Sequence, residues 1–169
     1  TKKGGFAHYM LKEIYEQPQA FYNSVRSVIG EALPAPVKNA DSVTIIACGS
    51  SYNAGLIFKY LIEDTCAIPV RIDFASEFKY FPPPVRGLVI GISQSGETAD
   101  TISAIKQAKV HNCTSLAITN VLGSSISRTA DFTLFMRAGP EISVAATKSF
   151  IAQLAVLMQI TSFLRNGEF

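Results

Sequence analysis

The chain has 169 residues, 48% of them hydrophobic and 17% charged, with a formal charge of +2 at pH 7. That length suits one domain able to bury about two thirds of the surface its unfolded form exposes, and the composition excludes a disordered chain or a basic coat for nucleic acid. Cys48, Cys66 and Cys113 are widely spaced, with no CxxC pair and only His8 and His111 to help them, which argues against a disulfide framework or a metal site and for small buried thiols in a reducing compartment.

The chain opens without a Met on a short polar stretch from Thr1 to Gly5, so the expectation is a frayed start, cut from something longer, with no secretory leader. The segment "HYMLKEIYEQPQAFYNSVRSVIGEAL" has helical spacing. Met10, Leu11, Ile14 and Tyr15 form one stripe that Pro18 breaks, and Phe21, Val25, Val28 and Ile29 form a second, closed by Pro34 and Pro36. Two short helices are therefore expected in an N-terminal segment over 1–35, ahead of one domain over 36–169.

From Asp41 onward, short apolar runs alternate with turns and helical stretches. The runs are "SVTIIACG" (42–49), "IPVRIDFA" (68–75), "GLVIGISQSG" (87–96), "TSLAITN" (114–120) and "DFTLFM" (131–136). Continuous β-branched runs separated by helices mark strands buried on both faces, so the spacing predicts five parallel strands in a doubly wound α/β sheet. The intervening helices are predicted over 52–64, 98–109, 125–129 and 144–164, and Ala99, Ile102, Ile105 and Ala108 give the second of them a stripe to lay on the sheet. The uncharged run at 149–164 is too short for a membrane span and is interrupted by Gln153, Gln159, Thr161 and Ser162, so it predicts a buried or interface helix.

Ligands of open α/β sheets bind where the carboxyl end of a strand gives way to a helix N-terminus. Two such junctions here are rich in hydroxyls and glycine: "CGSSYNAG" after the first run and "SQSGET" after the third. A helix start offers unpaired N–H groups and about half a positive charge, which suits phosphate without any lysine or arginine. Ser93, Ser95 and Thr98 add hydroxyls, Gln94 an amide, and Gly96 close backbone approach, so the pattern fits a small phosphorylated metabolite. No GxxxxGK[ST] or GxGxxG run is present, which argues against a nucleotide.

A plainer reading stays open at each junction. Ser95 can simply cap a helix whose first turn holds Glu97 and Asp100, and "GSSYNAG" can be a turn with a cap. Lys148 has the amine that Schiff-base chemistry on a ketose needs, but a lysine early in a long helix is ordinarily solvated. Glu77 and Glu141 are the candidate bases, and surface charge is the alternative for both. His8 and His111 have no partner within motif distance.

The motifs "ACGSSYNAG", "ASEFKY", "ISQSGETADT", "NVLGSSISRTAD" and "RAGPEISVAATKSFIAQLAVL" follow the order seen in the sugar isomerase (SIS) domains of the glutamine-fructose-6-phosphate aminotransferases, and "HYMLKEIYEQP" is similar to the segment entering that family's isomerase half. The resemblance covers nearly the whole chain and points to the first of two SIS domains. It implies a three-layer αβα sandwich around a five-stranded parallel sheet, in an enzyme that makes glucosamine 6-phosphate and glutamate from fructose 6-phosphate and glutamine. It places a hexose 6-phosphate against Ser50, Ser51, Ser93, Gln94, Ser95 and Thr98, and turns the loop carrying Val144 and Ala146 toward the sugar.

Two departures stand out: Cys48-Gly49-Ser50-Ser51 replaces the usual Cys-Gly-Thr-Ser, and Val144-Ala145-Ala146-Thr147-Lys148 replaces Val-Ala-Ser-Thr-Lys, losing a hydroxyl near the sugar. The resemblance puts the catalytic base, ring-opening histidine and Schiff-base lysine in a second SIS domain, and the glutamine-attacking cysteine in a glutaminase domain. By that reading this chain contributes no catalytic residue, metal or cofactor, works with those two domains in a cytoplasmic homodimer, and touches neither membrane nor nucleic acid. A non-catalytic sugar-phosphate sensor and an independent small isomerase are the alternatives. The first lacks a helix-turn-helix segment or basic patch, and the second a convincing acid–base pair.

Overall fold

The computed structural model describes residues 2–31, 33–78, 80 and 85–167; Thr1 and Phe169, the outer limits of the two expected segments, lie outside them. Five strands, β1 (Val43–Ala47), β2 (Val70–Phe74), β3 (Leu88–Ile92), β4 (Thr114–Thr119) and β5 (Phe132–Phe135), form one sheet, all pairs parallel, in the order β2-β1-β3-β4-β5. Among the described residues there are eight helices: α1 (Tyr9–Tyr15), α2 (Gln17–Val28), α3 (Ala35–Lys38), α4 (Gly49–Cys66), α5 (Ala75–Phe78), α6 (Ala99–Val110), α7 (Ser125–Thr129) and α8 (Lys148–Asn166). The expected five parallel strands and the αβα sandwich are what the fold shows. The helix expected over 52–64 begins earlier, because Gly49 to Ser51 already belong to it, and the last helix begins later, because residues before Lys148 are held in a loop.

Alternation along the strands divides the core in two. Val43, Ile45 and Ala47 of β1, Leu88, Ile90 and Ile92 of β3, and Leu116 and Ile118 of β4 face α2, α3, α4 and α8. Ile46, Val89 and Ala117 face α5, α6 and α7 on the other side. Burial on both faces explains why β1, β3 and β4 read as apolar runs; the edge strands β2 and β5 depart from that expectation, fully buried only at Val70 and Leu134. α4 lies so close to the sheet that a Cβ on Gly55 would come within 2.8 Å of Ile45 and 2.9 Å of Ile72.

The helix faces differ from their predicted stripes. α6 buries Thr101, Ala104, Ile105 and Ala108, leaving Ala99 exposed and Ile102 half-buried. In α1 the predicted stripe of Met10, Leu11, Ile14 and Tyr15 is exposed and the inward residue is Glu13. α8 is the reverse case: Ala152, Ala155, Val156, Leu157, Ile160 and Phe163 are buried in this chain's own core against α2 and α4. Its apolar length is thus largely covered from within, and no helix among the described residues is long and apolar enough to cross a membrane.

Candidate functional site

The strand order places the site. From β1 the chain crosses to β2 on one side, and from β3 it proceeds to β4 and β5 on the other. The topological switch point therefore lies between β1 and β3, whose last residues, Ala47 and Ile92, are register partners. The two hydroxyl-rich junctions emerge side by side at that point, where α/β sheets form their ligand crevice.

After β3, Ser93 is the hub of a tight loop. It is 3% exposed, its Oγ accepts the Gly96 N–H at 3.1 Å, and it shares a hydrogen bond with Thr98 Oγ1 at 2.9 Å. Gly96 has φ +69°, and a Cβ there would collide with Ser124 and come 2.7 Å from Thr119 Oγ1, so only glycine fits. Ser95 is exposed and its Oγ accepts the Glu97 N–H at 3.2 Å. The Gln94 carbonyl accepts the Asn120 N–H at 3.0 Å and the Thr119 hydroxyl at 3.3 Å, which ties the loop to the end of β4.

Ser95 does not cap α6. The helix begins at Ala99 with Thr98 as N-cap residue, and Thr98's hydroxyl makes no capping bond because it is paired with Ser93. Glu97 lies before the helix and accepts the Ser125 N–H at 2.8 Å at the start of α7. Hydrogen bonds from Ser125, with the charge of Arg128, hold Glu97 below the usual carboxylate range. The N-cap residue of α6 thus provides no side-chain cap for its first turn, which starts beyond the carboxyl end of β3.

After β1, Cys48 occupies the N-cap position of α4 without a side-chain capping bond, and Ser50 and Ser51 fall in the first turn. Ser50 is exposed; Ser51 is nearly buried and its Oγ accepts Gln153 Nε2 of α8 at 2.9 Å. With a lone pair so occupied, the Ser51 hydroxyl is set to donate its proton elsewhere. Gln153 is 1% exposed and its Oε1 has no hydrogen-bond partner. Sequence reading takes Gln153 only as an interruption in an apolar run; a polar residue in the middle of a buried helix is the signal that marks it.

Val144 and Ala146 stand exposed in the loop between β5 and α8, Val144 completely. That loop is rooted on Asn120, whose side chain accepts the Ala138 N–H at 3.1 Å and donates to the Gly139 carbonyl at 2.7 Å. Asn120 therefore joins this loop to the Gln94 backbone. Strand register, rather than a direct hydrogen bond, brings Ser50 and Ser51 beside the Ser93 loop.

Other candidates have structural employment. Lys148 is not solvated: it is 4% exposed and its Nζ lies 2.6 Å from Glu16 Oε2. Glu141 is no free surface charge either, since Oε1 accepts the Thr147 and Ser149 N–H groups at 3.0 and 3.2 Å and caps α8. Glu77 is exposed in α5, and His8 and His111 are exposed beside the ends of α1 and α6, His111 at the end of α6 away from Ser93. Of the three thiols only Cys113 is buried, with its pKa raised by that burial; Cys48 and Cys66 are half-buried. No group of three His, Cys, Asp or Glu able to hold a metal occurs among the described residues. A separate cavity of about 500 Å3 lies between α6 and α7, lined by Ser103, Lys106 and Arg128 among others, but Arg128 already donates to Gly123 O and Ser125 Oγ.

A family model described as SIS domain matches residues 37–162. The chain is 49% identical over 165 residues to glutamine–fructose-6-phosphate aminotransferase [isomerizing] of Aquifex aeolicus, covering 95% of this chain and 28% of that protein. It is 46% identical over 168 residues to the protein of the same name from Thermotoga maritima, covering 93% and 28%. The chain thus spans less than a third of the length of these curated relatives. Among solved structures, the C-terminal domain of glucosamine-fructose-6-phosphate aminotransferase from Francisella tularensis superposes with a TM-score of 0.89 at 38% identity, over 100% of this chain and 51% of that one. With the matched residues running from α3 through most of α8 and enclosing both hydroxyl-rich junctions, the chain belongs to the SIS domain family.

Proposed function

We propose that this chain is the first isomerase half of a glutamine–fructose-6-phosphate aminotransferase, and that it supplies the phosphate-binding part of the fructose 6-phosphate site. One observation carries the reading: two hydroxyl-rich helix starts, neither capped by its own N-cap side chain, flank the single switch point of a parallel sheet. In this reading Ser93, Gln94, Ser95 and Thr98, with Ser50 and Ser51 opposite, hold the phosphate. Val144 and Ala146 approach the sugar. The chemistry of a neutral donor set is binding and orientation; proton transfer and amine capture belong to a second SIS domain, and ammonia release to a glutaminase domain. We assign 36–169 to the isomerase domain and 1–35 to its helical lead-in, and place the enzyme in the cytoplasm.

The test is calorimetric titration of this chain with fructose 6-phosphate, glucosamine 6-phosphate and unphosphorylated fructose, with Thr98→Ala as control. Binding of the two phosphates alone, lost in Thr98→Ala, is the expected result. Binding of fructose as tightly as fructose 6-phosphate overturns the cradle, and so does absence of binding at millimolar ligand.

Self-association as a homodimer belongs to the same proposal. α8 turns most of its apolar side inward, and a cluster of exposed apolar residues that a second copy could cover lies on α1 and α2, at Met10, Leu11, Ile14, Tyr15, Phe21 and Tyr22. Light scattering that gives a monomer mass at high concentration counts against it.

A further inference from the structure

Glu13 and Glu16 precede the matched residues, 37–162, and belong to no motif of the site, yet apart from Lys12 on α1 their partners lie at Ile142, Ser143 and Lys148, in and after the loop that carries Val144 and Ala146. Glu13 is 2% exposed. A carboxylate removed from water requires full hydrogen bonding, and both of its oxygens find it on two consecutive residues of the β5–α8 loop. The Ile142 N–H donates to Oε1 at 2.6 Å, the Ser143 N–H reaches Oε1 at 3.3 Å and Oε2 at 3.2 Å, and the Ser143 hydroxyl donates to Oε2. One helical turn further, Glu16 takes Lys148 at 2.6 Å and Lys12 at 3.0 Å. Residues 142–148 are therefore held at both ends by a single stretch of the N-terminal arm.

Between those two fixed points Val144 and Ala146 project into solvent, and Val144 is covered by nothing. Besides Glu141, which holds Thr147 from within the loop, the loop is rooted on Asn120, itself bonded to Gln94 of the cradle. The loop is thus suspended between the cradle on one side and α1 on the other. A buried acid serving only to hold α1 on the body could have found a helix start or a lysine. This one receives the backbone of the exposed loop, which fixes where that loop's side chains stand.

We propose that Glu13 is a positioning residue for the ligand site: it sets the Ile142–Ala146 loop over the crevice, so that the sugar end of a hexose phosphate, and not its phosphate, is felt through it. The proposal rests on the cradle reading above. The two separate experimentally, because inorganic phosphate probes the cradle alone and fructose 6-phosphate probes cradle and loop together.

Both ligands are titrated into the unmodified chain, Glu13→Gln, Ser143→Ala and Thr98→Ala. The unmodified chain is expected to prefer fructose 6-phosphate over phosphate. Glu13→Gln should raise the Kd for fructose 6-phosphate about tenfold and leave that for phosphate within about twofold, since misplacing a contact by even 1 Å is felt strongly while the cradle is untouched. Thr98→Ala should weaken both together. Where Glu13→Gln does not fold, Ser143→Ala removes part of the same tie from the loop side and should shift the preference in the same direction, by about threefold. A preference unchanged in Glu13→Gln, equal losses for both ligands, or no preference in the unmodified chain would overturn the assignment while phosphate binding left the cradle standing. A chain that binds neither ligand sinks both.

Discussion

At Gly96 the backbone and the neighbours make the same demand. The positive φ and the contacts with Ser124 and Thr119 leave no room for a methyl group, so Gly96→Ala should cost about 1–3 kcal/mol in urea unfolding and abolish phosphate binding with it. The hydroxyls should report more selectively. A hydroxyl donating to a charged phosphate oxygen contributes about 1.5–3 kcal/mol, so Ser95→Ala and Thr98→Ala should weaken sugar-phosphate binding by roughly 10- to 150-fold. Ser103→Ala, further along α6, should leave the affinity unchanged; equal effects at all three positions in calorimetry would refute the cradle. These residues are legible in the sequence because strand end, glycine and helix start fall within "ISQSGET". Their supports are not. Gln153 meets Ser51 across 102 positions and Glu13 meets Ile142 across 129, and no local spacing encodes pairings that the fold alone creates.

Among the elements, α8 shows where pattern reading ends. Its apolar length was visible, but not what covers it: α2 and α4 do, and Glu141 and the pair Lys148–Glu16 fix its start. Helical periodicity names a stripe without naming the side that the fold buries, so the stripe expected on α1 is exposed and that on α6 is rotated, whereas the runs of β1, β3 and β4, buried on both faces, point directly to strands. The ion pair also decides the chemistry of Lys148. An amine nearly out of water and 2.6 Å from a carboxylate is engaged in an ion pair and is not presented as a free nucleophile. Lys148→Ala should therefore lower stability by about 2 kcal/mol, below the usual loss for a buried pair because Glu16 keeps Lys12 and some exposure. Borohydride in the presence of fructose 6-phosphate should leave Lys148 unlabelled, as read by peptide mass; a reduced adduct there would return the lysine to the list of catalysts.

Across the whole molecule, carboxylates tie the N-terminal arm to the β5–α8 loop and Ser115 to the start of β5, and these ties respond to acid. Burial by itself would raise Glu13, but the Ile142 and Ser143 donors together with the charge of Lys148 outweigh it and hold the pKa below the ordinary 4.5. Lys148 and then Lys12 do the same for Glu16 against the effect of burial. At Asp131, burial is outweighed by the hydroxyl and N–H of Ser115, with Lys109 3.0 Å away, and the pKa lies below the ordinary 3.8. A folded-state pKa below the unfolded value means that the ionised form favours folding, so this stabilisation is complete above the unfolded values and is lost as pH falls through the folded ones. Urea midpoints should therefore be level from about pH 7 to 5 and decline below 4.5, with Glu97 beside α7 and Glu63 beside β2, both lowered as well, adding to the loss. Glu13→Gln lacks one of these titrations, so the stability gap between it and the unmodified chain should narrow as pH drops from 4.5 toward 3. Amide exchange at Ile142 and Ser143 should lose protection over the same interval in the unmodified chain. A gap constant down to pH 3, with those amides still protected, would mean that the Glu13 carboxylate is not what holds the loop.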